Sequence, residues 1–242
     1  MKIGQWIAIA CGVALIAGTT NAPAQATGAV IASAVDGLVE VKSKDFDRVY
    51  VRPGTDFRAY TKVMLGPTQV AFADRWLSDM NFHRIAVLQG TTAADAERIA
   101  QDTRTGLRDV FAEQFKRAGY EVVAAPGAGV LGLSVSVVDL YINAPASVTQ
   151  ALPSRVYTHE AGFATLVLEV HDSTTGTLLA RIVDRRTVGL RGGPHPNVRI
   201  TTVASNRFDF GTTFSLWAQN SIDELKSASL LAMNGPAQGP PH

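Results

Sequence analysis

Three groups of residues have types and spacings that could support chemistry. Gly127-Ala-Gly-Val-Leu-Gly132 spells G-x-G-x-x-G, a pattern that cradles a pyrophosphate when it joins a strand to a helix N-terminus. Here the residues that follow, 131–142, alternate as a strand, so the glycines are expected to make a turn. Gly132-Leu-Ser-Val-Ser136 resembles a nucleophile elbow without its second glycine. Ser134 and Ser136 fall in mid-strand, where they space polar atoms along the less buried face. His159-Glu160 and His171-Asp172 supply imidazole and carboxylate groups of the kind that bind zinc. One pair precedes an extended segment and the other ends it, which separates them by about 35 Å. They cannot share an ion. His83 has no evident partner, and His195 is fixed between Pro194 and Pro196. No catalytic, cofactor-binding or metal-ligating residue is assigned on this basis, and no cofactor is expected. The residues favour a non-catalytic protein over an enzyme.

The elements that would position any site centre on residues 161–187. Ala164, Leu166, Leu168 and Val170 alternate with Phe163, Thr165, Val167, Glu169 and His171, the period-two signature of a strand with one well-buried side. Asp172-Ser-Thr-Thr-Gly176 closes a hairpin, and residues 178–186 run back. Residues 130–142 form a third long strand, with Leu131, Leu133, Val135 and Val137 alternating. Short strands are expected at residues 48–52, 62–65, 69–72 and 120–124, with the third and second separated by Gly66-Pro67. Phe57 and Tyr60 should tuck inward from a turn, and residues 74–82 read as a short helix carrying Trp76.

Residues 91–118 are the clearest helix. Ala96, Ile99, Ala100, Thr103, Leu107, Val110, Phe111, Phe115 and Ala118 form one stripe, with Thr92 and Asp95 to cap the start and Gly119 to stop it. A second helix is expected over residues 210–233, with Phe214, Trp217, Ala218, Ser221, Ile222 and Leu225 on one face. The order of elements predicts an α+β fold: a single domain with a mixed, mostly antiparallel sheet and two main amphipathic helices on one face.

Composition limits the compartment and the partners. The 22 basic and 21 acidic side chains differ by one, and Lys2 in the leader accounts for it. The chain beyond the leader thus has no formal net charge and no general attraction for nucleic acid. Residues 1–18 hold one positive charge and a short apolar run, and Asn21-Ala-Pro-Ala-Gln-Ala26 offers cleavage after Ala24 or Ala26. This reads as a signal peptide over residues 1–24, giving a periplasmic or secreted product. The run is too short for a transmembrane anchor. Cys11, the single cysteine, lies inside that run and fits a lipoprotein box poorly, so lipid anchoring is not expected. Residues 25–45 are expected to be a flexible tail, 46–233 the folded domain and 234–242 a disordered end.

Several stretches resemble one family. Val51-Arg-Pro-Gly-Thr-Asp-Phe57 with Tyr60, then Lys62-Val63, is similar to the opening of domain-of-unknown-function family 3313. Leu107-Arg-Asp-Val-Phe-Ala-Glu-Gln-Phe115 with Ala118-Gly-Tyr-Glu-Val122 resembles its central helix and the strand after it. Asp139-Leu-Tyr-Ile-Asn-Ala-Pro145 and Asp172-Ser-Thr-Thr-Gly-Thr-Leu-Leu-Ala-Arg181 resemble its later segments. The resemblance implies a bacterial envelope protein, in a family with many lipoproteins and no established activity. More distantly, the order of elements resembles the periplasmic domain of the curli secretion lipoprotein and the N-terminal domain of the Tol-system propeller protein.

Strand direction then locates the candidate binding surface. If residues 130–142 run up the sheet, the long loops 143–162 and 187–209 leave its same end, and Gly127 and Gly176 lie at the other. Long loops on a rigid scaffold are where binding groups gather. These carry Arg155, Tyr157, His159, Glu160, Arg191, His195, Arg199 and Arg207, with Arg185 and Arg186 at the rim. The excess of arginine suggests an unidentified envelope partner with an anionic group, such as a lipid head group, a glycan or an acidic protein face. The alternative is that these arginines pair with Asp184, Glu160 and Asp209. In function, the expectation is a binding or assembly accessory. A periplasmic hydrolase or a small-molecule or lipid binder is the alternative.

Overall fold

The structure is a computed structural model, which describes residues 36–82, 90–143, 156–189 and 199–233. The hairpin at the centre of the sequence is also central to the sheet. Strands β6 (Val130–Ile142), β8 (Gly162–Asp172) and β9 (Leu178–Val188) are long and antiparallel. Around them lie β1 (Val39–Val41), β2 (Arg48–Val51), β3 (Lys62–Leu65), β4 (Gln69–Phe72) and β5 (Glu121–Val122). The sheet order is β1-β2-β9-β8-β6-β3-β5, with β4 also paired to β6. β3 and β4 run parallel to β6 along successive stretches of it. The break between them is Gly66-Pro67, where proline has no N–H for the ladder. The fold is α+β, one domain with one core and an open mixed sheet.

The predicted alternation sets the faces. Ala164, Leu166, Leu168 and Val170 are fully buried under the helices, and Leu131, Leu133, Val135 and Val137 join them from β6. A bulge between Val138 and Tyr141 then shifts the parity of β6 by one residue. Leu140 and Ile142 consequently face the core, and Asp139 sits in the left-handed region at φ 51. Aspartate tolerates that conformation better than most residues. At the start of β8, Gly162 has φ 147, and a Cβ built there would lie 1.8 Å from the carbonyl oxygen of Tyr141.

Among the described residues three α-helices complete the domain: α1 (Trp76–Phe82), α2 (Ala93–Arg117) and α3 (Val203–Met233). α2 opens on the expected capping box between Thr92 and Asp95, and Gly119 beyond its end has φ 95. Ala100, Leu107, Phe111 and Phe115 bury its stripe. On α3, Phe214, Trp217, Ala218, Ser221, Ile222 and Leu225 are all buried as expected. The Trp217 indole donates to the buried Asp184 carboxylate at 2.6 Å, and Arg186 binds the same oxygen. Trp76 is buried and donates to the carbonyl of Ile142 at 3.1 Å.

The structure departs from expectation at three places. Part of the stretch expected as a tail, from Asp36 to Asp45, is built into the domain: β1 pairs with β2, and Ser43 donates to Glu224 at 2.8 Å. Arg52 fastens this entry by donating to the carbonyls of Asp36 and Leu178, contacts that a short polar stretch does not advertise. Loops 143–162 and 187–209 contain two further strands, β7 (Val156–Thr158) and β10 (Arg199–Thr201), paired antiparallel. Finally, α3 starts at Val203, a full two turns before the expected Phe210. Thr202 and Ser205 cap it reciprocally, each side-chain oxygen accepting from the other's N–H at 2.9–3.0 Å. The polar Asn206, Arg207 and Asp209 dilute its first apolar turns.

Residues 1–35, 83–89, 144–155, 190–198 and 234–242 lie outside the described residues. The expected signal peptide and its cleavage sites, Cys11 and the expected C-terminal tail fall there. Among the described residues no helix is long and apolar enough to cross a membrane.

Candidate functional site at the loop end of the sheet

The two long loops do leave one end of the sheet. Ile142 pairs with Gly162 and Gly162 with Val188, so β6, β8 and β9 meet the loops at a common edge. Beyond that edge β7 and β10 join the loops, through Thr158 paired with Arg199 and Tyr157 with Ile200. The hydroxyls of Thr158 and Thr201 approach to 2.6 Å. Of the proposed surface residues, His159 is exposed in the turn after β7, and the carbonyl of Glu160 accepts from Thr158 and Asn143. Tyr157 and Arg199 are placed by their strands. Arg207 is exposed on α3, whereas Arg155, Arg191 and His195 lie outside the described residues.

The rim arginines have partners. Arg185 lies 3.7 Å from Asp139 and stacks over Phe163, with its guanidinium carbon 4.3 Å from the ring centre. Arg186 is held by Asp184 at 2.6 Å and by the carbonyl of Asp45. Arg186 thus has the Asp184 partner that the alternative reading named, whereas Arg185 meets Asp139 and Phe163, which it did not. Arg207 has no ion-pair partner among the described residues.

Arg207 stands on the wall of a groove that the sequence did not reveal. α2 and α3 both begin at the loop end. α1 and α2 follow β4, whose last residues bond to Leu140 near the top of β6, and α3 follows β10. Side by side, the two helices enclose a groove of about 560 Å³. Its apolar floor comes from Ile99 and Val110 of α2, Phe210 and Phe214 of α3, and Ile142 of β6. Asp102 and Arg207 line it from opposite helices. Asn206 lines it too, although only 7 % of that residue is exposed. Its amide donates to the carbonyl of Asn143 at 3.1 Å, and its Oδ1 has no hydrogen-bond partner among the described residues. A buried acceptor left unpaired costs about 1–3 kcal/mol, which a donor entering the groove would recover.

Two further lining residues are glycines inside helices, Gly106 of α2 and Gly211 of α3. A Cβ at either would meet nothing within 4 Å. Each glycine costs its helix about 1 kcal/mol relative to alanine, and no neighbouring atom demands it. Two unexplained helix-interior glycines were the signal in the sequence that could have drawn attention to this groove. The groove is lined by no histidine, cysteine or serine. Among the described residues no group of three or more His, Cys, Asp or Glu gathers as a metal site. His171 contacts Glu169 at 3.6 Å near the opposite end of β8 from His159.

Comparisons with known proteins place the chain in a family and go little further. No curated protein matches it. Among solved structures, a PelC dodecamer from Paraburkholderia phytofirmans is similar at 13 % identity and TM-score 0.38, over 74 % of this chain and 95 % of that one. A Xanthomonas campestris protein of family DUF330 is similar at 12 % identity and TM-score 0.36, over 75 % of this chain and 91 % of that one. A DUF4136 family protein from Bacteroides thetaiotaomicron is similar at 11 % identity and TM-score 0.33, over 79 % of this chain and 98 % of that one. At TM-scores this low, none of the three carries an argument about assembly or partner. The model of the family described as "Protein of unknown function (DUF3313)" matches residues 29–191, and the chain belongs to that family.

Proposed function

We propose that this is an exported cell-envelope protein, a non-catalytic binding or assembly module that engages its partner at the loop end of the sheet. The observation that carries the reading is the groove between α2 and α3, with its apolar floor, its unpaired Asn206 acceptor and the exposed Arg207 on its wall. Apolar concavities with a few placed polar groups are the usual form of a binding site. Export rests on the leader and its small-residue cleavage sites, so the processed chain should lack Met1 and start after Ala24 or Ala26. A hydrolase would need nucleophile, base and carboxylate groups converging in the groove, and its lining offers carboxylates without histidine, serine or cysteine.

Loops 143–162 and 187–209 belong to the same surface in this reading, and an anionic group on the partner would meet Arg207 there. The test is capture of envelope components from an extract at low salt, by the processed chain and by an Arg191→Glu/Arg199→Glu/Arg207→Glu variant. Loss of captured components by a folded variant supports the loop end as the site. Unchanged capture overturns it.

A further inference from the structure

We propose that the α2–α3 groove holds the acyl chain of a single-chain phospholipid whose head group carries a primary ammonium. This rests on the reading that the groove is a binding site and names what fills it. The α3 wall runs from Val203 to Phe214 and the α2 wall from Ile99 to Val110, eleven residue steps along each helix. At 1.5 Å per residue the groove is about 16 Å long. An extended hydrocarbon chain advances about 1.3 Å per bond, so on the order of a dozen methylenes span it. Gly106 and Gly211 leave open space beside the backbone of each wall. A chain without branches can lie in that space against bare helix. Side chains of ordinary size at these two positions would occupy it.

The polar groups select the head. Asn206 and Arg207 stand near the start of α3 and Asp102 in the third turn of α2, with Arg98 bound to Asp95 one turn before it and Asp109 two turns beyond it. Among the described residues Asp102 and Arg207 have no ion-pair partner and Asn206 Oδ1 is a buried acceptor without a donor. Among the described residues this part of the groove thus presents a cation and a carboxylate without ion-pair partners and an acceptor without a donor, Arg98 being held by Asp95. An anionic head alone would leave Asp102 and Asn206 unmatched. A phosphate with a primary ammonium matches all three, the phosphate on Arg207 and the ammonium shared by Asp102 and Asn206. The first turn of α3 contains no acidic residue, so its positive dipole end also favours the phosphate. A quaternary choline head has no N–H to give Asn206, and a glycerol head has no charge to give Asp102.

The test uses the processed full chain and three lysophospholipids of one chain length, with ethanolamine, choline or glycerol head groups, each below its micellar concentration. Titration calorimetry should show saturable binding in the order ethanolamine first, with choline and glycerol heads about ten-fold weaker. Asp102→Asn and Arg207→Gln, both exposed surface changes, should respectively shrink the ethanolamine preference and weaken every phospholipid. Gly106→Leu/Gly211→Leu should abolish binding of all three while the chain melts no lower than the wild type. No saturable binding to any of the three overturns the proposal, as does equal binding by a folded leucine variant or a head-group order unchanged by Asp102→Asn. If lipid fails but the arginine variant still loses its envelope components, the ligand assigned here is wrong and the binding-module reading stands. If capture is also unchanged, that reading fails as well.

Discussion

At one end of the sheet, Asp172 in the β8–β9 turn accepts from the amides of Thr174 and Thr175 and from the hydroxyls of Thr175 and Tyr60, all within 3.0 Å. Beside it, Ser173 bonds both the N–H and the carbonyl of Gly127 at 3.1 Å. At the other end, among the described residues, Asn206 Oδ1 has no hydrogen-bond partner and Arg207 no ion-pair partner, and two helices part around open space. The turn end thus satisfies its polar groups internally, as a scaffold does. The loop end leaves groups unmatched where a second molecule can reach them. Long loops leave at that end, short turns at this one, and the difference follows from strand direction alone.

Substitutions can test how far this division holds. Gly162→Ala should do the most damage. Its methyl would lie 1.8 Å from the Tyr141 carbonyl in a backbone conformation that alanine resists, at a cost of about 4 kcal/mol. Denaturant unfolding measures it, and a small effect would mean that the loop end of the sheet is soft. Leu168→Ala, in the fully buried middle of β8, should cost about 3 kcal/mol by the same measurement. That value sets the reference for both ends.

Asp172→Ala should cost about 1–2 kcal/mol through the lost turn, with no change in ligand or partner binding. pH gives this end a second signature. The Thr175 amide first, then the Tyr60 hydroxyl, hold the Asp172 carboxyl below the ordinary aspartate range. Its contribution is therefore complete above about pH 4 and fades as pH falls through the lowered folded value. Burial, followed by the hydrogen bond to Asp172, pushes the Tyr60 hydroxyl up to about 12. Stability from Tyr60 is complete below about pH 10 and is lost as pH rises from there through the folded value. Tyr60→Phe should flatten that alkaline limb, and Asp172→Asn the acid one. The smallest effect expected is a gain: Gly106→Ala or Gly211→Ala should each raise stability by up to about 1 kcal/mol, because the methyl meets no atom. A loss at either position would show that the glycine serves packing and not a groove.

The scaffold was legible in the sequence because period two and period 3.6 are strong signals where one face is buried. The β8 alternation, the α2 stripe and the Thr92–Asp95 cap could all be read directly. So could the common end of the two loops, since antiparallel strands alternate direction. β1 was missed because its three residues carry no periodicity, and the start of α3 was missed because Asn206, Arg207 and Asp209 interrupt its apolar stripe. The site was legible only in outline. Arg207 was among the expected residues, but Asn206, Asp102 and the two glycines come together through the packing of α2 beside α3, which separates them by about a hundred positions in the chain. The arginine excess misled in part, since Arg185 and Arg186 belong to Asp139, Phe163 and the buried Asp184.

The central claim is that the loop end meets another molecule and the turn end does not. Photo-crosslinking in intact cells tests this most directly, with a photoreactive phenylalanine analogue at Phe208, 70 % exposed on α3 near the groove, or at the exposed Thr174 in the β8–β9 turn. The account predicts light-dependent adducts from position 208 that disappear in the Arg207→Glu background, and none above background from position 174. Adducts from position 174 alone, or in equal yield from both, would contradict it.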